Sequence, residues 1–264
     1  MFEYAKIRFN NYLNENYDLE NDIVKRKLKH TYNVVKMAEY ISEDLSLSDE
    51  DKELSMVIAL LHDIGRFAQT KLGVTNLLEA TKKVNHAALG VKMLFDDNLI
   101  REFIKSDKYD EIIRKAILNH NKYILDTSSL NELEELHCKL IRDADKTDNF
   151  RVKSEGNLNT MVGISNSDIE NSQVSDKIYL DFMNHKVIKK ADRVNAVDYW
   201  IYYIAYIFDF NYSSGLEYIK EKDYINILID RFKYKRADTF KKMEDIRVCA
   251  MNYINEQIKR RKVK

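Results

Sequence analysis

The residues in this chain best equipped for chemistry are its histidines and the aspartates beside them. There are only six histidines. His62 and Asp63 are adjacent, at the end of the apolar run Met56 to Leu61. An imidazole buried beside a carboxylate is costly unless the two are paired or bound to a cation. His30, His86 and His120 each fall on or beside an apolar helical stretch, and Asp143 and Asp145 interrupt another that passes through Leu140 and Ile141. Taken singly, His30 reads as a satisfied core residue before it reads as a ligand. Together, imidazole nitrogens and carboxylate oxygens from separate helices resemble a metal shell converging inside a bundle. A metal in such a shell lowers the pKa of water and offsets charge developing on an electrophile, which is the chemistry of hydrolysis. The imidazole-rich set suits Mn, Fe, Co, Ni or Zn better than Mg, one or two ions in all.

Positioning these residues calls for helices. The chain contains no proline and six glycines, so β-turns are short of their preferred residues and long helices are not interrupted. The fold class expected is all-α. Leu28, Val34, Ala38, Ile41 and Leu45 form one apolar stripe over 21–45. Ser48, followed by Asp49, Glu50 and Asp51, supplies a cap and an acidic first turn for the next helix. Further helices are predicted over 85–95 with Asn85 as cap, 110–120, and 131 to about 153. The stretch from Ser154 to Ser167 sets Gly156 and Gly163 among Asn, Ser and Thr without periodicity and reads as a loop, a lid or a subdomain junction. Helices over 168–183, 192–210 and 224–262 follow it.

The ordered series His30, Leu60-Leu61-His62-Asp63-Ile64-Gly65-Arg66, Asn85-His86, Asn119-His120 and Arg142-Asp143-Ala144-Asp145-Lys146 resembles the HD superfamily of metal-dependent phosphohydrolases. The resemblance spans about residues 20–153. It implies an HD-domain helical bundle with additional C-terminal helices, residues 154–264 forming a loop and a helical extension packed on the core as a single compact domain. It implies a metal held by His30, His62, Asp63 and Asp145, with Asp143 in a supporting place. His86 and His120 match the extra histidines of the binuclear branch, in which Asp63 bridges two ions. Catalytic roles fall to Asp63, Arg66 and Lys146, the two cations being placed to clamp a phosphate or, on the plainer reading, being surface charges. The chain lacks the Gly-Tyr-Pro signature of the cyclic-dinucleotide phosphodiesterases, and it has Arg66 where deoxynucleotide triphosphohydrolases usually have a histidine. The expected partner is therefore a small phosphorylated substrate, a nucleotide or a related ester or anhydride. A regulatory module that binds metal and nucleotide without turnover, and a nuclease, are the alternatives.

Composition narrows these alternatives. With 43 basic and 43 acidic residues there is no global positive field to gather nucleic acid. Cys138 and Cys249 stand far apart, and no secretory leader is evident, which points to a reducing cytoplasm. The longest apolar run, Tyr199 to Phe208, falls well short of the roughly 20 residues of a membrane helix. Tyr199, Trp200, Tyr202, Tyr203 and Tyr206 read as core before they read as a nucleobase platform. His137 reads as a solvated or capping residue, His185 as exposed, and Lys259, Arg260, Arg261, Lys262 and Lys264 as a solvated basic helix end.

Overall fold

The computed structural model describes residues 1–71, 84–159 and 163–262, and among these it is all helical, with no strand. The chain divides into two compact units, Met1–Asp148 and Asn149–Lys264. The division falls within a helix, ahead of Ser154.

The first unit contains α1 (Phe2–Asn16), α2 (Asp22–Asp44), α3 (Asp49–Leu61), α4 (Ile64–Thr70), α5 (His86–Val91), α6 (Ile100–Phe103), α7 (Asp110–Asn119) and the start of α8 (Glu132–Glu155). Asn21 caps α2 by accepting from the amides of Ile23 and Val24, and Ser48 caps α3 by accepting from Asp51. Asn131 and Glu134 exchange side-chain-to-backbone hydrogen bonds of 2.9 Å at the start of α8. α2 buries the stripe Val24, Val34, Val35, Ala38 and Ile41 against α3. α3 is apolar nearly all round, as the run 56–61 predicts, with Leu54, Val57, Ile58, Ala59, Leu60 and Leu61 all buried. The helix predicted over 85–95 divides into α5 and a π-helical turn, Lys92–Asp96, closed by the amide of Asp97 on the carbonyl of Lys92 at 3.0 Å.

In the second unit, α9 (Asn166–Asn171), α10 (Asp176–Met183), α11 (Ala196–Ile204), α12 (Ser213–Glu221), α13 (Tyr224–Asp230) and α14 (Ala237–Lys262) surround a core built on Trp200, Phe182, Ile201, Ile246 and Ala250. Three helices predicted as continuous are broken, each for a visible reason. Between α9 and α10 the chain is held by buried Asp198, which accepts from both the amide and the hydroxyl of Ser175. Between α13 and α14, Phe232 turns inward onto Trp200, ring centroids 5.0 Å apart. After α11 the helix tightens into a 3₁₀ turn, Ala205–Asp209. Trp200, Ile201 and Tyr202 are core residues here. His185 is exposed. Part of the 154–167 stretch, the side chains of Arg261 and Lys262, and all of Lys264 lie outside the described residues. Among the described residues no helix is long and apolar enough to cross a membrane.

Candidate metal centre

The two helix ends that meet at His62 and Asp63 create the centre. α3 stops at Leu61 with His62 as its C-cap, and Asp63, at φ −108° and ψ 19°, starts α4 without using its side chain as a cap. Both side chains are thereby released inward from the most apolar helix in the unit. α5 is brought close by a glycine crossing: a Cβ on Gly65 would lie 2.2 Å from the carbonyl oxygen of His86, and one on Gly90 would meet Ile64 Cγ2 at 3.3 Å. Only glycine at position 65 admits this approach, and the approach sets His86 beside Asp63. α7 delivers His120 as its C-cap, and α8 presents Asp145 and Asp148 one turn apart on one face.

All six residues of the expected ligand set come together. His30 Nε2 is 3.1 Å from Asp145 Oδ1 and 3.9 Å from Asp63 Oδ2, and His62 Nε2 is 3.7 Å from Asp63 and 3.9 Å from Asp145. His86 Nε2 is 3.2 Å and His120 Nε2 3.6 Å from Asp63 Oδ1, with the two ring nitrogens 3.1 Å apart. Two overlapping trios present atoms close enough to hold an ion: His30, His62 and Asp145, then His62, Asp63 and His120. His86 completes neither trio and borders the second.

The tautomers follow from what each Nδ1 touches. His62 Nδ1 donates to Ala59 O at 2.7 Å, His120 Nδ1 to Ile117 O at 2.6 Å, and His30 Nδ1 to the buried Asp148 carboxylate at 2.6 Å. His62 and His120 therefore turn an Nε2 lone pair toward the carboxylates, while His30 has a carboxylate at each ring nitrogen. His62 Nε2 and Asp63 Oδ1 are buried without a hydrogen-bond partner. Lone pairs facing lone pairs in a desolvated space fit a divalent cation and fit little else.

The electrostatics keep His62 and His86 in the form that takes a metal and require His30 to release a proton for one. Burial works against charge on His30, but the Asp145 and Asp148 carboxylates outweigh it and raise its pKa to about 10. Burial likewise disfavours the charged form of Asp63, yet Arg66, with His62 and His86, holds its carboxyl well below the usual range. Asp145 is held low by His30 against its own burial. Burial keeps His62 neutral, and burial with the Arg66 charge does the same for His86. The neutral imidazole is the form that binds a metal.

Arg66 Nε stands 3.4 Å from Asp63 Oδ1, and its Nη1 is buried with no hydrogen-bond partner. Lys146 is buried, 7% exposed, and Asp143 is wholly buried in α8. His137 departs from the solvated or capping role expected of it. It is fully buried with Nδ1 3.1 Å from Ser55 Oγ, because the α8 face that carries it packs inward beside Cys138. Two supporting residues were not singled out from sequence. Asp148 lay in plain view one turn after Asp145. Arg142, buried in α8, donates from Nη1 to the carbonyls of Asn119, His120 and Lys122 at 2.9, 3.4 and 2.8 Å, pinning the end of α7 that carries His120.

The all-helical unit gathers histidines and aspartates from four helices and the junction between two others into a cluster that could hold a metal. Residues 28–149 match the HD domain family, which supports an HD domain over that part of the chain. That superfamily consists of metal-dependent phosphohydrolases whose domains bind divalent metals. No curated protein and no solved structure matches the chain.

Proposed function

We propose that this protein hydrolyses a phosphate ester or anhydride of a nucleotide or related small molecule. The observation that carries the reading is the convergence of imidazole nitrogens and carboxylate oxygens on a buried space, with His62 Nε2 and Asp63 Oδ1 lacking a hydrogen-bond partner. His30, His62, Asp63 and Asp145 would hold a divalent transition metal, and His86 and His120 would extend the shell toward a second ion. Such a metal supplies a water of lowered pKa and charge compensation at phosphorus. The chain's own groups do the rest. Asp148 fixes the ring of His30, and Ala59 and Ile117 fix His62 and His120, so the ligand geometry costs no reorganisation during reaction. Arg66 offers an unused buried N–H to a phosphate oxygen, and Lys146, next to Asp145 on α8, adds a second positive charge. The buried faces of the helices that carry His62 and His120 are largely apolar, with Leu54, Val57, Ile58 and Leu61 on α3 and Ile113, Ala116 and Ile117 on α7. Both cysteines are free and buried, as suits a reducing cytoplasm.

Metal analysis of the purified chain, followed by a phosphate-release screen across nucleotides with Mn, Co, Ni and Mg, tests the reading. Turnover stimulated by a transition metal and abolished in Asp63→Ala, with helical circular dichroism retained, is the expected result. A fully metallated protein that releases phosphate from nothing would support the binding-module alternative, and wild-type turnover in Asp63→Ala would refute the mechanism.

A further inference from the structure

Arg66 carries a buried Nη1–H with no partner, although the carboxylate of Asp63 lies close to its Nε. A buried charged donor left without an acceptor is costly, so it is a standing demand for one. A second cation lies within its field. Lys27 is on α2 one turn before His30, on the face of that helix turned toward the centre, and its ammonium is close enough to interact electrostatically with both Arg66 and Asp63. Lys27 is half-buried and makes no hydrogen bond or ion pair among the described residues, in a protein where most lysines near a carboxylate find one. The Asp63 carboxylate acts on both cations, and one carboxylate does not balance two. Burial first, and then the Arg66 charge, push the Lys27 pKa down to about 8.

We infer that Lys27 and Arg66 form a two-cation subsite beside the His/Asp centre, and that its occupant is a terminal phosphate, the end group of a monoester or polyphosphate, and not the internal phosphate of a diester. A terminal phosphate has three non-bridging oxygens. One can face the centre while the other two meet the guanidinium fork and the ammonium. A diester has only two such oxygens and a single charge, and would leave one cation unanswered. The inference rests on the hydrolase reading and sharpens its substrate class.

The test is binding without turnover. The full-length, metal-loaded chain is titrated calorimetrically with inorganic phosphate and, separately, with dimethyl phosphate, for wild type, Lys27→Met and Lys27→Arg. Expected are tighter binding of phosphate than of dimethyl phosphate by at least about 10-fold, loss of about 10-fold or more in phosphate affinity in Lys27→Met at unchanged metal content, and retention within about threefold in Lys27→Arg. Equal affinity of wild type for the two ligands, no phosphate binding by wild type, or full phosphate affinity in Lys27→Met would each overturn the subsite. Should Lys27→Met fold poorly, Lys27→Gln decides by the same criterion. A protein that binds phosphate through Lys27 but hydrolyses nothing would defeat the hydrolase reading alone, whereas a hydrolase indifferent to Lys27 would defeat the subsite alone.

Discussion

Replacing Gly65 with alanine adds a single methyl group, and the structure says where it must go. The new Cβ would fall 2.2 Å from the carbonyl oxygen of His86 and 2.8 Å from the amide of Gly90. Both are backbone atoms, so no side chain can swing aside; the first turn of α5 has to retreat by about 1 Å to restore van der Waals separation. His86 moves with it, and its 3.2 Å approach to Asp63 and 3.1 Å approach to His120 both open. Overpacking of this kind costs about 1–3 kcal/mol, partly offset by the roughly 1 kcal/mol that alanine gains over glycine in a helix. A melting temperature lower by a few degrees is thus expected. Catalysis should suffer more, because a 1 Å misplacement of a catalytic group can cost about 100-fold. The assay is kcat/KM on the best substrate from the phosphate-release screen, read beside bound metal and the melting curve. Gly90→Ala is the internal control: its Cβ meets Ile64 Cγ2 at 3.3 Å, a side-chain atom that can give way, so its loss should stay within about 10-fold. Wild-type kcat/KM and metal content in Gly65→Ala would show that the close helix crossing does not position His86.

Three further predictions follow from single residues. Burial holds the His137 pKa down at about 4, against 6.5 for an ordinary histidine. The unfolded chain therefore takes up a proton below pH 6.5 that the folded chain refuses until about pH 4, and stability should fall across that window by up to roughly 3 kcal/mol; urea unfolding at pH 7 and 4.5 should show the slope, and an unaltered slope in His137→Gln would rule out this residue as its source. Arg142→Met should strand the carbonyls of Asn119, His120 and Lys122, cost about 3 kcal/mol or more, and lower bound metal at a stoichiometry where wild type is saturated, while unchanged metal binding would separate Arg142 from the placing of His120. Lys146→Ala, normalised to folded protein because the side chain is buried, should reduce kcat/KM by roughly 10- to 1000-fold through the loss of one charge-assisted contact, and unaltered kinetics would remove Lys146 from the site.

The helical class and the positions that converge were legible because histidine is scarce in this chain and its placement beside caps and apolar stripes is a local property. Asn85 and Ser48 cap the helices that the pattern assigned to them, and 57–61 is buried all round. Less legible were features whose cause lies far along the chain. Nothing near Gly65 announces that its partner is the backbone of His86, and nothing near Arg142 announces the carbonyls it holds some 20 residues back. The breaks at Ser172–Ser175 and at Phe232 come from Asp198 and Trp200, which override a sequence that is locally helical. α1 was within reach: Phe2, Ala5, Phe9 and Leu13 repeat at helical spacing, but charged and polar residues between them dilute the stripe. Lys27 gave no signal, since a lysine one turn before a histidine on a helix rich in lysine looks like solvent-facing charge.

His62 belongs to both trios, and that membership carries a constraint of electron count. An imidazole whose Nδ1 proton is committed to the carbonyl of Ala59 has one lone pair left, pointing in one direction. The two trios therefore draw on the same pair of electrons and cannot both be complete. An ion seated with His30 and Asp145 leaves its neighbour to rely on Asp63, His120 and the bordering His86; one seated with Asp63 and His120 leaves His30 and Asp145 short of a nitrogen. Were two ions to bind here, occupancy would be a choice before it was a sum, and whichever arrived first would determine how well the next could be held.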